Sequence, residues 1–143
     1  MPQISATAFV PASAAELHQI VREGTGLPAL APHVLEVEPQ PDGTARWSVL
    51  LNGSRVGWTQ REATVSGQRL VFAQTQGDFD SLVVTWTFAP DCAGTRVGLS
   101  IAFHLGIDGL APLLDPIWAQ SLRAHANLLL SALASAKEPH DHD

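Results

Sequence analysis

Near Gly109 the hydrophobic pattern of this chain changes period, and that change limits the folds open to it. From Val34 to Phe103 apolar residues recur at every second position in short runs broken by turn residues, the pattern of half-buried strands. Beyond Gly109 they recur every three to four positions. Leu110, Leu113, Leu114, Ile117, Trp118, Ser121, His125, Leu128 and Ala132 fall on one face of a helix that runs to about Ala136. Asp108 or Gly109 starts it, and Pro112 and Pro116 are tolerable only near its first turns.

The strands follow one another closely. Asn52-Gly53 between Trp47–Leu51 and Arg55–Ala63 is a strong two-residue hairpin signal. Ser66-Gly67, Gly77-Asp78 and Asp91–Gly94 separate the later runs, so the middle of the chain reads as an antiparallel meander. Ahead of it, a short strand ends at Pro11, and residues 12–23 form a helix that Ser13 caps with Glu16 in a capping box. Residues 26–32 allow a turn or two of helix. The fold class is therefore α+β: a curved antiparallel sheet of six or seven strands around one long C-terminal helix, with two short helices after the first strand. One domain over residues 1–136 is expected, followed by a disordered acidic tail, 137–143.

Hydrophobic residues make up 45% of the 143 and charged residues only 15%, which hints at apolar surface lining a cavity. Fourteen acidic against eight scattered basic residues give a net charge of −6, the wrong balance for tracking a phosphate backbone, so no nucleic-acid partner is expected. No run of about 18 apolar residues offers a membrane span. The first residues lack a secretory pattern, and the chain reads as cytoplasmic. Cys92, the only cysteine, sits in a turn and excludes an internal disulfide or a cysteine-based zinc site. No metal site and no phosphate loop are found, so no cofactor is expected; the His140–Asp143 run is a loose chelator at best.

Alternation sorts the faces. Leu82, Val84, Trp86 and Phe88 share one face with Val97, Leu99, Ile101 and Phe103 opposite, and these apolar sets should meet the long helix. Trp58 joins them, which would turn Gln60 and Glu62 inward and Thr59, Arg61, Ala63, Thr85 and Thr87 outward. Trp58, Trp86 and Trp118 should converge as an aromatic wall, with Phe88, Leu99, Phe103, Ser121 and His33 as further ligand contacts. An inward Glu62 is a candidate general acid or base, with Gln60 and His125 beside it. The alternative places Glu62 at the mouth, or paired with Arg55 or Arg61.

The order of elements resembles the helix-grip fold of the START/Bet v 1-like superfamily. Phe9–Ala14 with Val21, Leu30–Glu38, Trp58–Glu62, and Gln74–Phe79 with Trp86 resemble its bacterial polyketide cyclase/aromatase-like branch. In that branch a pocket arginine lies four residues after the central-strand tryptophan; here the position is Glu62, with Arg61 beside it on the other face. The resemblance implies a cofactor-free cyclase or cyclase/dehydratase that folds a polyketide-like substrate in an internal cavity, with Glu62, Gln60 and His125 moving protons. A non-catalytic carrier of a quinone, lipid or polyketide is the competing expectation. Ribosome-associated relatives of the fold exist too, but the acidic balance opposes an RNA-facing role. The expected partner is a hydrophobic small molecule, with a homodimer left open.

Overall fold

The computed structural model describes residues 2–106 and 110–137. β1 (Gln3–Val10) is followed by α1 (Ala14–Glu23) and α2 (Leu27–Leu30), then by β2 (Val34–Pro39), β3 (Ala45–Leu51), β4 (Ser54–Ser66), β5 (Arg69–Gly77), β6 (Ser81–Asp91), β7 (Gly94–His104) and α3 (Ala111–Lys137). The seven strands form one antiparallel sheet in the order β1-β7-β6-β5-β4-β3-β2, so α1 and α2 carry the chain from one edge to the other. The assembly is the helix-grip arrangement. No helix among the described residues is long and apolar enough to cross a membrane.

Local chemistry accounts for the elements. Ser13, in extended backbone, accepts a hydrogen bond from the Glu16 amide, and Gly24 closes α1 in the left-handed region at φ 72°. Asn52 and Gly53 both have positive φ, as a tight hairpin between β3 and β4 requires. β6 and β7 set Leu82 against Phe103, Val84 against Ile101, Trp86 against Leu99 and Phe88 against Val97, and all eight are buried. Directly opposed apolar pairs of this kind are the main side-chain stabilisation of a sheet.

Two phases differ from the sequence pattern. A register shift between Val34 and Glu36 breaks the alternation of β2, so Val34 and Val37 are buried and Leu35 is exposed. On α3 the face turned into the sheet carries Leu122, His125, Ala126, Leu129, Leu130 and Leu133, while Leu113, Ile117 and Leu128, and Leu110 just ahead of the helix, are exposed. The second half of this helix is apolar nearly all round, so periodicity alone could not set its rotation. The expected helix start at Asp108 or Gly109 and residues 138–143 of the tail lie outside the described residues. Lys137, assigned to that tail, is the last residue of α3 and pairs with Glu16 of α1.

Gly77 ends β5 hard against β4: a Cβ there would lie 2.6 Å from both Cα and Cβ of Trp58. Backbone must move to admit it, so Gly77→Ala should lose about 1–3 kcal/mol in chemical denaturation. Gly67→Ala, where the added Cβ meets nothing within 4 Å, should be near neutral.

Candidate functional site

The sheet curls so that β3, β4 and β6 carry aromatic rings toward α3. Trp47 and Trp58, paired across β3 and β4, stack with centroids 5.8 Å apart and planes 10° from parallel. Phe79, in the turn after β5, packs edge-on against Trp58 at 6.2 Å, Phe103 at 6.3 Å and Trp118 at 5.5 Å. The Gln74 side-chain amide donates to the Phe79 carbonyl at 2.7 Å and fixes that turn. Edge-to-face geometry puts the electropositive ring edge on the neighbour's electron-rich face.

Between sheet and helix these side chains leave a void of only about 10 Å³, lined by Trp58, Gln60, Trp86, Leu99, His125 and Leu129 among others. That is about one water-sized sphere, so side chains fill the space beside His125, while a larger pocket of about 340 Å³ opens beside α1, lined by Val37, Trp47, Gln60, Glu62 and Phe72 among others. On the other side of His125 lies a surface groove of about 250 Å³ between the β3–β4 hairpin and α3, formed by Leu50, Leu51, Asn52, Ser121, Ala124 and Leu128. His125 is thus the wall between groove and void. A larger open depression over β2–β4, about 940 Å³, is ringed by Glu36, Asp42, Arg46, Arg55 and Asp78 and suits no apolar ligand.

His125 is 3% exposed, with its Nδ1 at 2.7 Å from Nε2 of His33. Burial, and secondarily the neighbouring His33, pushes its pKa down to about 3, and burial lowers His33 too. At neutral pH the pair is therefore uncharged, one ring donating and the other accepting. His125 Nε2, on the far side of its ring, has no hydrogen-bond partner among the described residues. Gln60 is also buried, and its Oε1 accepts from Trp58 Nε1 at 2.9 Å.

Glu62 lies outside that void. It shares the concave face with Trp58 and Gln60 and, with Gln60, lines the pocket of about 340 Å³ beside α1. There the Glu62 carboxylate receives Nε of Arg22 at 2.7 Å and Nη2 at 3.3 Å. The partner is Arg22, not Arg55 or Arg61, and Glu62 keeps a third of its side chain in solvent. The Glu62 hydrogen bond, with its charge second, raises the pKa of Arg22.

The structure brings together Trp58, Trp86, Leu99, Gln60 and His125 around the void, Ser121 beside the groove, and Trp118 and Phe103 against Phe79. Phe88 lies away, stacked on Trp86 and edge-on to His18. His33 touches the site only through His125. Arg22 and Phe79 were not among the sequence candidates. The signal for Phe79 was a large apolar residue in an otherwise polar turn, Asp78 to Asp80. No group of three or more His, Cys, Asp or Glu side chains among the described residues could hold a metal ion.

The proton linkage has a definite sign. Unfolded His125 binds a proton below about 6.5, whereas the folded ring resists until about 3. Stability should thus be full above pH 6.5 and fall as pH drops through that window toward 3. Thermal melts from pH 7 to 4 should show a steeper fall for the wild type than for His125→Phe, which has no ring to protonate.

Comparison with known proteins agrees with this fold. Residues 10–134 match the family model described as polyketide cyclase / dehydrase and lipid transport. Among curated proteins, the ribosome association toxin RatA of Escherichia coli strain K12 is 29% identical, over 96% of this chain and 89% of its own length. Among solved structures, TTHA0849 from Thermus thermophilus superposes with a TM-score of 0.81 at 26% identity, covering 94% of this chain and 95% of that one. A START superfamily protein from Mycobacterium smegmatis gives 0.80 at 17% identity, covering 94% and 96%.

Proposed function

Because the chain belongs to the polyketide cyclase / dehydrase and lipid transport family, we propose that it binds a flat, neutral, hydrophobic small molecule between the β3–β4 hairpin and α3, with one carbonyl or hydroxyl of the ligand against His125. The observation that carries this reading is the placement of His125: a buried, uncharged polar group between a surface groove of mixed lining, with Leu50, Leu51 and Leu128 beside Asn52, Gln120 and Ser121, and an aromatic interior. Sites for small hydrophobic ligands combine apolar walls with a few placed polar groups in this way. A neutral imidazole offers a hydrogen bond to a neutral oxygen and lacks the positive charge that would favour a carboxylate or phosphate. The void is small, so a ligand larger than the groove enters by pushing α3 and the hairpin apart.

Between the two activities in the family description, the binding and carrying role is favoured. Glu62, the residue first expected to move protons, is engaged at the rim by Arg22. A cyclase or cyclase/dehydratase would need its proton chemistry from the histidine pair instead. The ribosome association in the name of the curated relative is a third possibility, which the net charge of −6 and the scattered basic residues disfavour.

Tryptophan fluorescence titration with a naphthoquinone, an aromatic ketone and a fatty acid should give saturable quenching by the first two and weaker binding of the acid. Ala124→Trp and Ser121→Trp, which fill the groove, should each weaken binding at least about tenfold, 1.4 kcal/mol. Ligand recovered unchanged after long incubation supports the carrier. Altered ligand supports the cyclase, and ribosome co-sedimentation without ligand binding overturns both.

A further inference from the structure

We propose that the pocket beside α1 is a second ligand site, separate from the one under the hairpin, and that it takes a flat aromatic molecule with a carbonyl at its inner end and an amine or hydroxyl at its outer end. The pocket holds about 340 Å³, within the size range of small-molecule sites, and is lined from α1, β2, β3, β4 and β5. None of the described residues lining it belongs to α3, whereas that helix walls both spaces around His125.

Gln60 sets the inner end. Its side chain is 6% exposed and forms the wall between this pocket and the void beside His125. Trp58 Nε1 is a donor only, so the Gln60 oxygen must face it, at 2.9 Å. The amide nitrogen is left over, and its N–H groups have no acceptor among the described residues. A buried amide in that condition calls for a partner from outside the chain. The void has room for about one water, so a ligand oxygen reaches the nitrogen from the pocket side. Val37, Trp47 and Phe72, all buried, supply the apolar walls.

Charge sets the outer end. Glu62 follows Gln60 on the same face of β4, about 7 Å along the strand. Register shifts against β5 flank the pair, and such irregularities re-aim side chains. The Glu62 carboxylate takes Nε and Nη2 of Arg22, both residues being partly in solvent, and keeps lone pairs for a further donor. Glu23, which accepts from Gln19, lines the pocket as well. Two carboxylates thus stand against one guanidinium. That excess favours a ligand amine or hydroxyl at the rim and opposes a carboxylate or phosphate.

The probe is 6-amino-2-acetonaphthone at pH 7, a fluorophore whose emission moves to longer wavelength when its carbonyl accepts a hydrogen bond. Titrations use the full chain carrying Ser121→Trp, or Ala124→Trp should that fold better, so that the hairpin groove is filled and only the pocket is read. The probe should bind saturably. Its analogue 6-amino-2-ethylnaphthalene, which lacks the carbonyl, and 6-amino-2-naphthoate, which carries a charge, should each bind about tenfold more weakly. Adding Gln60→Met should weaken the probe about tenfold and move its bound emission to shorter wavelength, which a purely structural role for Gln60 would not do. Adding Ala45→Phe, on β3 directly opposite Gln60, should fill the pocket and abolish binding. No binding of the probe, binding that survives Ala45→Phe, equal affinity for the ethyl analogue, or unshifted emission with Gln60→Met would each overturn the proposal. The analogue comparison needs no change in the pocket itself, so it decides even where Ala45→Phe or Gln60→Met fails to fold. The site under the hairpin is tested separately by naphthoquinone binding to the wild type.

Discussion

Everything in this protein hangs on the seating of α3 in the concave face of the sheet. Leu122, Leu129, Leu130 and Leu133 are each 2% exposed or less. At about 1.5–3 kcal/mol per fully buried leucine, the four supply a gross transfer term as large as the net stability of an ordinary domain. The helix cannot leave the sheet without unfolding it, so any opening of the interior has to be local. The N-terminal half of α3 is where that is cheapest. Leu113 and Ile117 are 70% and 55% exposed, and Pro116 removes a backbone donor from the helix. Trp118, partly buried against Phe79, is the main anchor of that half.

The polar groups divide according to what burial costs them. A carboxylate and a guanidinium taken into this interior would pay a desolvation penalty that their attraction repays only with very good geometry. Arg22 and Glu62 meet instead at the rim, where solvent still reaches both. Two imidazoles can enter uncharged, because their titration range sits close enough to neutrality for burial to strip the proton. The interior thereby keeps hydrogen-bonding capacity without a charge. The same logic explains why the candidate site centres on His125 and not on Glu62.

Much of the architecture was legible before any coordinates. The period change near Gly109, the Asn52-Gly53 hairpin and the Ser13 capping box are local signals, each settled by interactions within a few residues, and each stands in the structure. The inward sets of β6 and β7 were equally legible, since strict alternation survives wherever a strand has no bulge. Where neighbouring strands slip, alternation fails, as at Val34 and Glu36 of β2. The rotation of α3 was also illegible, because a segment as uniformly apolar as Leu128–Leu130 offers several faces that could be buried.

By itself, then, the sequence determined which segments are strands and helices, their order, and that one long helix must be gripped by a curled sheet. Those outcomes follow from periodicity and turn chemistry, which act over short separations. Only the tertiary structure decided that His33 meets His125 across 92 positions and that Arg22 meets Glu62 across 40. It also decided that the aromatic side chains leave beside His125 a void of about the size of one water. Such pairings depend on strand register, helix rotation and the angle at which α1 crosses the sheet, and these are set by packing the whole core at once.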